Sequence, residues 1–332
     1  MNDSCWEDAS DLLTPNSLAK QRWQSLASNL RSHRIQKQTI HGATVLDFGV
    51  QVKGSLEAGV ALAEGCMGGL ANVQVVPQSD PALVAANAVT VNVDLPLLSC
   101  LGCQYAGWPV SHEKYFAMGS GPMRLLRGKE DVLQEYQLAD VPRCAEVAGV
   151  LESDHLPTDQ IIELIAADCQ VRPDQLTLAV APSTSIAGTV QVVARSVETA
   201  MHKLHDLKFD LNTVVSGSAI APLPPPAKPG DSVAGIGRTN DAMLYGATVT
   251  LWVDCSDDAI ESVFQQMPSC SSKDYGQPFA KIFADYKYDF YQVDPALFSP
   301  AVVHFHNLAT GKTFSAGKLN PAVMRASFGM GS

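Results

Sequence analysis

The sequence predicts a layered α/β (α+β) fold: two mixed α/β domains with a pocket between them. Three observations carry that expectation. The chain has 332 residues, long for one hydrophobic core. Hydrophobic residues make up 46% and charged residues 17%, the balance of a compact globular protein. Short apolar strand-like runs alternate with helix-like runs along its length.

Ser17 to Arg34 reads as an amphipathic helix, Ala43 to Val50 as a strand and Leu56 to Cys66 as a helix. Ala71 to Val76 and Ala88 to Val93 are strand-like, and a Ser- and Gly-containing helical segment follows Pro96. Val147 to Leu151 is a buried strand that leads into the acidic-capped helix Asp159 to Ala167. Leu176 to Ala181 is another buried strand. Pro182-Ser183-Thr184-Ser185 stops it and offers N-cap candidates for one long helix. Its apolar residues recur at Val190, Val193, Ala194, Val197, Met201 and Leu204, the spacing of a core face. Ala247 to Val253 is a strand and Asp257 to Gln266 a helix, while Pro222 to Gly230 is a stiff loop. Similar stretches recur at a spacing of about 90–100 residues, which suggests an internal duplication. The repeat-like cores are 87–175 and 176–275, with 1–86 and 276–332 packing on them.

The formal charge of −11 argues against nucleic acid as a partner. It leaves room for an anionic small molecule met by local Arg and Lys. The acidic start, Met1 to Asp8, is unlike a signal peptide, and no apolar run is long enough for a membrane span. Eight scattered cysteines read as free thiols, which points to a cytoplasmic location.

Cys100-Leu101-Gly102-Cys103 has CxxC spacing, but no second pair completes a zinc set. His304 and His306 share a strand face through the two-residue period alone. No metal is expected, and the two thiols read as small hydrophobes near the pocket wall. Gly235-Ile236-Gly237 has Asn240 where a dinucleotide fingerprint needs its third glycine. There is no P-loop, and Ser183 and Ser185 lack the setting of a nucleophile elbow.

Other segments invite a ligand. In Gly119-Ser120-Gly121-Pro122 the glycines admit close backbone approach, and Arg124 offers a cation to an anionic tail. Arg238, Asn240 and Asp241 form a second polar cluster. Glu152 ends an apolar strand, where pockets form. The long helix carries a second stripe of Gln191, Arg195, Glu198, His202 and His205. Arg195 and Glu198 are three apart, so they are neighbours on one flank. A guanidinium beside a carboxylate keeps it ionised and ready to activate water or move a proton. An ordinary solvated ion pair has the same spacing.

Taken together, these segments resemble the methenyltetrahydromethanopterin cyclohydrolase family. The residues that carry the resemblance are Gln104-Tyr105-Ala106-Gly107-Trp108, Tyr115 to Pro122, Gly149 to Glu152 and Ser185 to Ala200. Gly237 to Ala242 and Leu297-Phe298-Ser299-Pro300-Ala301 complete the set. The resemblance implies two α/β domains with a pocket between them, and a homotrimer. It also implies hydrolysis of a cyclic amidinium on a reduced pterin carrier, giving the formyl carrier without metal or nucleotide. The pathway would be formaldehyde oxidation or methanogenesis-type metabolism. Glu198 would activate water and transfer a proton, Arg195 would hold and tune it, and Glu152 would support the water or substrate. Gly119, Ser120, Gly121, Arg124, Arg238, Asn240, Asp241, Tyr105, Trp108 and Phe298 would bind substrate. Tyr105 stands where archaeal members of the family tend to carry Lys, a departure that leans toward a bacterial enzyme with a dephosphorylated carrier. Two alternatives stay open: a catalytically silent pterin-binding protein, and a cyclohydrolase of a folate carrier.

Overall fold

A computed structural model describes residues 14–26, 29–139 and 146–330. The chain runs through α1 (Pro15–Gln24), α2 (Leu30–His33), β1 (Gln36–Ile40), β2 (Ala43–Asp47) and α3 (Leu56–Cys66). Then come β3 (Ala71–Pro77), β4 (Asn87–Val93), a π-helical segment (Leu97–Gln104), β5 (Trp108–His112) and β6 (Tyr115–Ser120). Next are α4 (Met123–Arg127), α5 (Asp131–Glu135), β7 (Val147–Glu152), α6 (Asp159–Cys169), β8 (Leu176–Ala181), α7 (Ile186–Val193) and α8 (Ser196–Asp206). The last part holds β9 (Val214–Pro222), α9 (Ser232–Gly246), β10 (Thr248–Val253), α10 (Asp257–Glu261) and α11 (Phe279–Asp285). It ends with β11 (Val302–Asn307), β12 (Thr313–Gly317) and α12 (Pro321–Ser327).

The strands form two six-stranded sheets, ordered β1-β2-β8-β7-β6-β5 and β12-β11-β10-β9-β4-β3. Both are mixed. In the first sheet β2, β8 and β7 are parallel neighbours, and in the second β10 and β11 are parallel. The two sheets take strands alternately along the chain. Stretch 87–175 gives β4 to the second sheet and β5 to β7 to the first; stretch 176–275 gives β8 to the first and β9 and β10 to the second.

Helices α3 and α7 lie between the sheets. On one side Ala58, Ala61, Leu62 and Cys66 of α3 share a core with Leu46, Ala148, Val150 and Ala179. On the other, Val60, Ala63 and Met67 join Val89, Val91 and the apolar face of α8. A helix buried on both sides needs an apolar surface all round, which α3 supplies. A Cβ on Gly59 would stand 2.6 Å from Val190 Cβ, so glycine allows α3 and α7 to touch. The far face of the first sheet is covered by α6 through Ile161, Ile162 and Ile165.

Two helical expectations are corrected. The stretch Ser17 to Arg34 is broken: α1 ends at Gln24 and only the short α2 follows. The long helix through Arg195 is also two helices. Ser185 is the N-cap of α7, but Ala194 and Arg195 close the turn through N–H bonds to Val190 and Val192 carbonyls. Helix α8 then starts afresh at Ser196. Among the described residues, no helix is long and apolar enough to cross a membrane.

Candidate active site

The parallel strands β8 and β7 run side by side and end at Ala181 and Glu152, which face each other in register. Carboxyl ends of parallel strands are where open α/β sheets build sites. Beyond β8 the chain turns through 182–185 into α7, and the break after α7 delivers Arg195. Its guanidinium is nearly enclosed, at 6% exposure. One nitrogen donates to the Gln104 carbonyl at the end of the π-helical segment. The other donates to Ser120 Oγ at 3.1 Å, with Cys66 Sγ at 3.8 Å. Cys66 also lies 3.3 Å from Ser120 Oγ and receives Gln191 Nε2 at 3.6 Å. Three elements thus hold one cation, and Gln191 of α7 supports the Cys66 contact.

That arrangement alters the expected relation of Arg195 to Glu198. Among the described residues Arg195 and Glu198 form no direct ion pair: Nη1 and Nη2 donate to Gln104 and Ser120, and the guanidinium acts on Glu198 through its field. Burial raises the Glu198 carboxyl above its ordinary range, and Arg195, then His202 and Arg124, draw it back down. Glu152 is raised by burial and drawn down by Arg195 in the same way. Two carboxylates therefore answer to one guanidinium.

Tyr105 follows the π-helical segment. Its ring stacks on His202 at 5.0 Å and 18°, with the Arg124 guanidinium 5.1 Å from its centroid. Burial, with Glu198 next, pushes the phenol up to about 12. Cys100 and Cys103 are fully buried, and burial pushes both thiols up. Glu198 is the second cause at Cys100, which sets this thiol within electrostatic reach of the centre. His304 and His306 bond instead to Ser315 and Thr313 on β12. Among the described residues, no group of three or more His, Cys, Asp and Glu is placed to hold a metal ion.

The glycine turn serves geometry more than ligand approach. Gly121 has φ +91°, and a Cβ there would sit 3.3 Å from Gly149 Cα and Val150 N. Its N–H donates to the Cys103 carbonyl at 2.8 Å, which fastens the turn to the π-helical segment. Gly119 lies inside β6 against the Trp108 carbonyl and Met123. Ser120 is the residue of this turn that reaches the centre.

The other residues expected to meet substrate have protein partners in this structure. Arg124 has no exposed surface. Its Nε donates to Glu130 at 2.9 Å, its Nη2 also bonds Glu130, and its Nη1 reaches the Leu101, Gly102 and Cys103 carbonyls. It secures the end of the π-helical segment and has no nitrogen left for an anionic tail. Trp108 is a core residue under the Arg127 guanidinium at 4.5 Å. Arg238 donates to the Pro225 and Pro226 carbonyls, and Asn240 to the Ile236 carbonyl. Asp241 is wholly buried and accepts the Phe279 N–H at 2.8 Å. Phe298 stacks on Phe290 at 4.6 Å. A groove of about 580 Å³ lined by Arg31, Arg34, Lys37 and Lys53 involves none of these residues. The Arg195 centre is set by its chemistry, not by the size of a surface hollow.

Cys66, Gln104, Glu130 and His202 were not assigned functional roles from the sequence. His202 was visible in the helical stripe, and Gln104 in the segment before Trp108. Nothing in the spacing marked Cys66, whose role comes from the α3–β6 contact.

Comparison with known proteins bears on this centre. The family model described as Cyclohydrolase (MCH) matches residues 15–328. A methenyltetrahydromethanopterin cyclohydrolase of Rhodopirellula baltica is 58% identical over 313 residues, covering 94% of each chain. One from Methylobacillus flagellatus is 44% identical over 315 residues, covering 95% of each. One from Methanocella arvoryzae is 39% identical over 299 residues, covering 90% of this chain and 92% of the relative.

Proposed function

The chain belongs to the methenyltetrahydromethanopterin cyclohydrolase family, and on that premise we propose how its buried centre works. The protein is a hydrolase that opens the cyclic amidinium of 5,10-methenyl-tetrahydromethanopterin to the 5-formyl carrier. Water adds to the bridging carbon and a C=O bond forms. One carbon–nitrogen bond breaks, its electron pair staying on nitrogen, which takes one proton of the water. The substrate is a cation and the product is neutral at that group, so the second proton of the water must leave.

The observation that carries the assignment of roles is the pair of carboxylates, half-buried Glu152 and buried Glu198, around the fixed Arg195. Burial raises both carboxyls and the guanidinium draws both down, which suits them to taking and giving protons. Glu198 takes the proton of the attacking water. Arg195 keeps it ionised, and Glu152 supports the water and the cationic substrate. The amidinium is already an electrophile, so the chemistry calls for neither metal nor nucleotide. We further place the enzyme in the cytoplasm as a homotrimer working in formaldehyde oxidation.

Loss of the amidinium's near-ultraviolet absorbance tests the reading, with methanopterin-type and folate-type carriers side by side and a chelator present. Turnover of the methanopterin-type carrier is expected. Faster turnover of the folate-type carrier would move the substrate assignment. Binding without turnover of either would mark a silent pterin-binding protein.

A further inference from the structure

The reaction assigned above releases one proton for each turnover, and Glu198, at 7% exposure, is too enclosed to hand it directly to bulk water. The proton needs a route. Helix α8 places His202 four residues beyond Glu198 and Asp206 four beyond His202, one row on one face. Exposure rises along that row: the His202 side chain is 32% exposed and that of Asp206 39%. His202 Nδ1 stands 3.8 Å from Asp206 Oδ2. The imidazole is also held in orientation, because the Tyr105 ring lies nearly parallel to it at 5.0 Å. Arg124 closes the other surroundings of Tyr105, and Glu130 fixes Arg124.

We propose that Glu198, His202 and Asp206 form a proton exit along α8, with His202 as its relay residue. The proposal rests on the cyclohydrolase reading. Imidazole suits the task because one ring nitrogen accepts a proton while the other gives one up. In the step, protonated Glu198 returns to carboxylate as its proton passes to the imidazole, directly or through one water. The imidazolium then releases the proton from its other nitrogen to water beside Asp206, whose carboxylate steadies the cation. No electron changes hands and no group besides the proton moves. Among the described residues, charged and titratable groups around His202 include Glu198 and Asp206 on its own helix and the stacked Tyr105, with Arg124 over Tyr105 and Arg195 acting on Glu198. The stacked Tyr105 phenol stays protonated across the working range, so it orients the ring without competing for the proton.

His205 lies on the next turn but bonds Glu135 at 2.8 Å, away from Glu198, and makes a matched control. The experiment measures kcat and KM of the parent, His202→Gln, His205→Gln and Glu198→Gln proteins in weak buffer, with and without added imidazole. His202→Gln is expected to lose kcat by about a hundredfold, the lower end of acid–base help, at unchanged KM. Added imidazole should restore much of that loss, while His205→Gln should match the parent. A His202→Gln protein at the parent rate in weak buffer would overturn the relay. So would a loss that imidazole does not relieve, since that would mark a stacking role for Tyr105 and His202. A parent that fails to turn over the carrier would instead remove the cyclohydrolase reading and the relay with it.

Discussion

Around Arg195, polar groups from separate elements turn toward a common point. The Gln104 carbonyl comes from the π-helical segment, Ser120 from β6, Cys66 from α3, Glu152 from β7 and Glu198 from α8. Around Asp241 the polar groups turn away from one another. Arg238 ties down the Pro225 and Pro226 carbonyls, Asn240 bonds back to its own helix, and Asp241 holds the first N–H of α11. The two segments look alike on paper, ARSVE and GRTND. The difference lies in what the polar groups have left to offer. In the second, each named bond goes to main-chain atoms. In the first, two carboxylates have no direct cation contact among the described residues, while a fixed guanidinium acts on both. What separates the two regions is a fixed guanidinium acting on two carboxylates in the first, while the Asp241 carboxylate of the second has no arginine or lysine among the causes of its shift.

The largest expected effect separates the two regions by activity. Glu198→Gln keeps the shape of the side chain and removes the base, so kcat should fall by about a hundredfold or more. Substrate binding, read by equilibrium titration, should survive. Asp241→Asn should leave kcat within about threefold of the parent, because its bond to the α11 backbone contributes to folding and not to proton transfer. Equal losses in the two variants would erase the distinction.

Arg195→Ala sharpens the same contrast through pH. Arg195 draws the Glu198 carboxyl down against burial. Without it that carboxyl rises further, and more of the base is protonated at any given pH. The acid limb of the kcat profile should therefore move to higher pH by about one unit or more. A limb that stayed in place would mean that Arg195 acts only by packing. Two nearby variants test its support: Ser120→Ala removes one hydrogen bond, and Cys66→Ala removes the sulfur contact. Each should move the limb in the same direction by less.

Legibility in the sequence divides along physical lines. Strand Leu176–Ala181 and helix Leu56–Cys66 were read to the residue, because continuous apolar runs and their caps are local properties. Ser185 was readable as an N-cap for the same reason. The helix break at Arg195 was not, since the apolar period runs through it undisturbed; the turn tightens only where Gln104 and Ser120 claim the guanidinium. Strands β5, β6 and β9 escaped because Gly, Pro and Ser interrupt their alternation, and pairing with neighbours supplies what propensity lacks. Arg195, Glu198 and Glu152 stood out in their segments, and the fold places both carboxylates under the influence of the Arg195 guanidinium. Whether Arg124 and Arg238 faced a ligand or a carbonyl was not, because an arginine's partner is set by tertiary packing.

The third test uses stability. Burial pushes the Asp241 carboxyl up to about 7, and its Oδ2 is enclosed without a hydrogen-bond partner. The Ser327 hydroxyl draws it down somewhat without completing a hydrogen bond to that oxygen. In the unfolded chain an aspartate titrates near 3.9. The fold thus binds this proton more tightly than the unfolded state. The associated stability is fully present below about pH 4 and is lost as pH rises to about 7. Asp241→Asn has no proton to lose. Its melting temperature should gain on the parent's across that window and hold a constant difference above it, with at most about 4 kcal/mol involved. A difference that did not change with pH would show Asp241 ionised in the fold and paired with a group outside the contacts described.

The smallest effect is expected at Arg238, and it decides whether the second region touches the carrier at all. The sequence suggested a cation for an acidic tail. In the fold, Arg238 Nη1 donates to the Pro225 carbonyl at 3.1 Å and the Pro226 carbonyl at 3.0 Å. Those bonds fasten the proline-rich loop to α9, the helix that also carries Asp241. Proline carbonyls in such a run have no strand partner of their own, so a guanidinium is an effective clamp. The bonds are exposed to solvent, and water replaces them readily. Arg238→Ala should therefore cost about 1 kcal/mol or less in stability. It should also leave KM within about threefold, because a remote contact that is absent cannot be lost. Initial-rate kinetics with the full carrier and with a carrier truncated at its tail give the sharper reading. If Arg238 met the tail, the parent would favour the full carrier and Arg238→Ala would lose that preference at unchanged kcat. Retention of the preference by Arg238→Ala would leave the loop clamp as the role of this arginine.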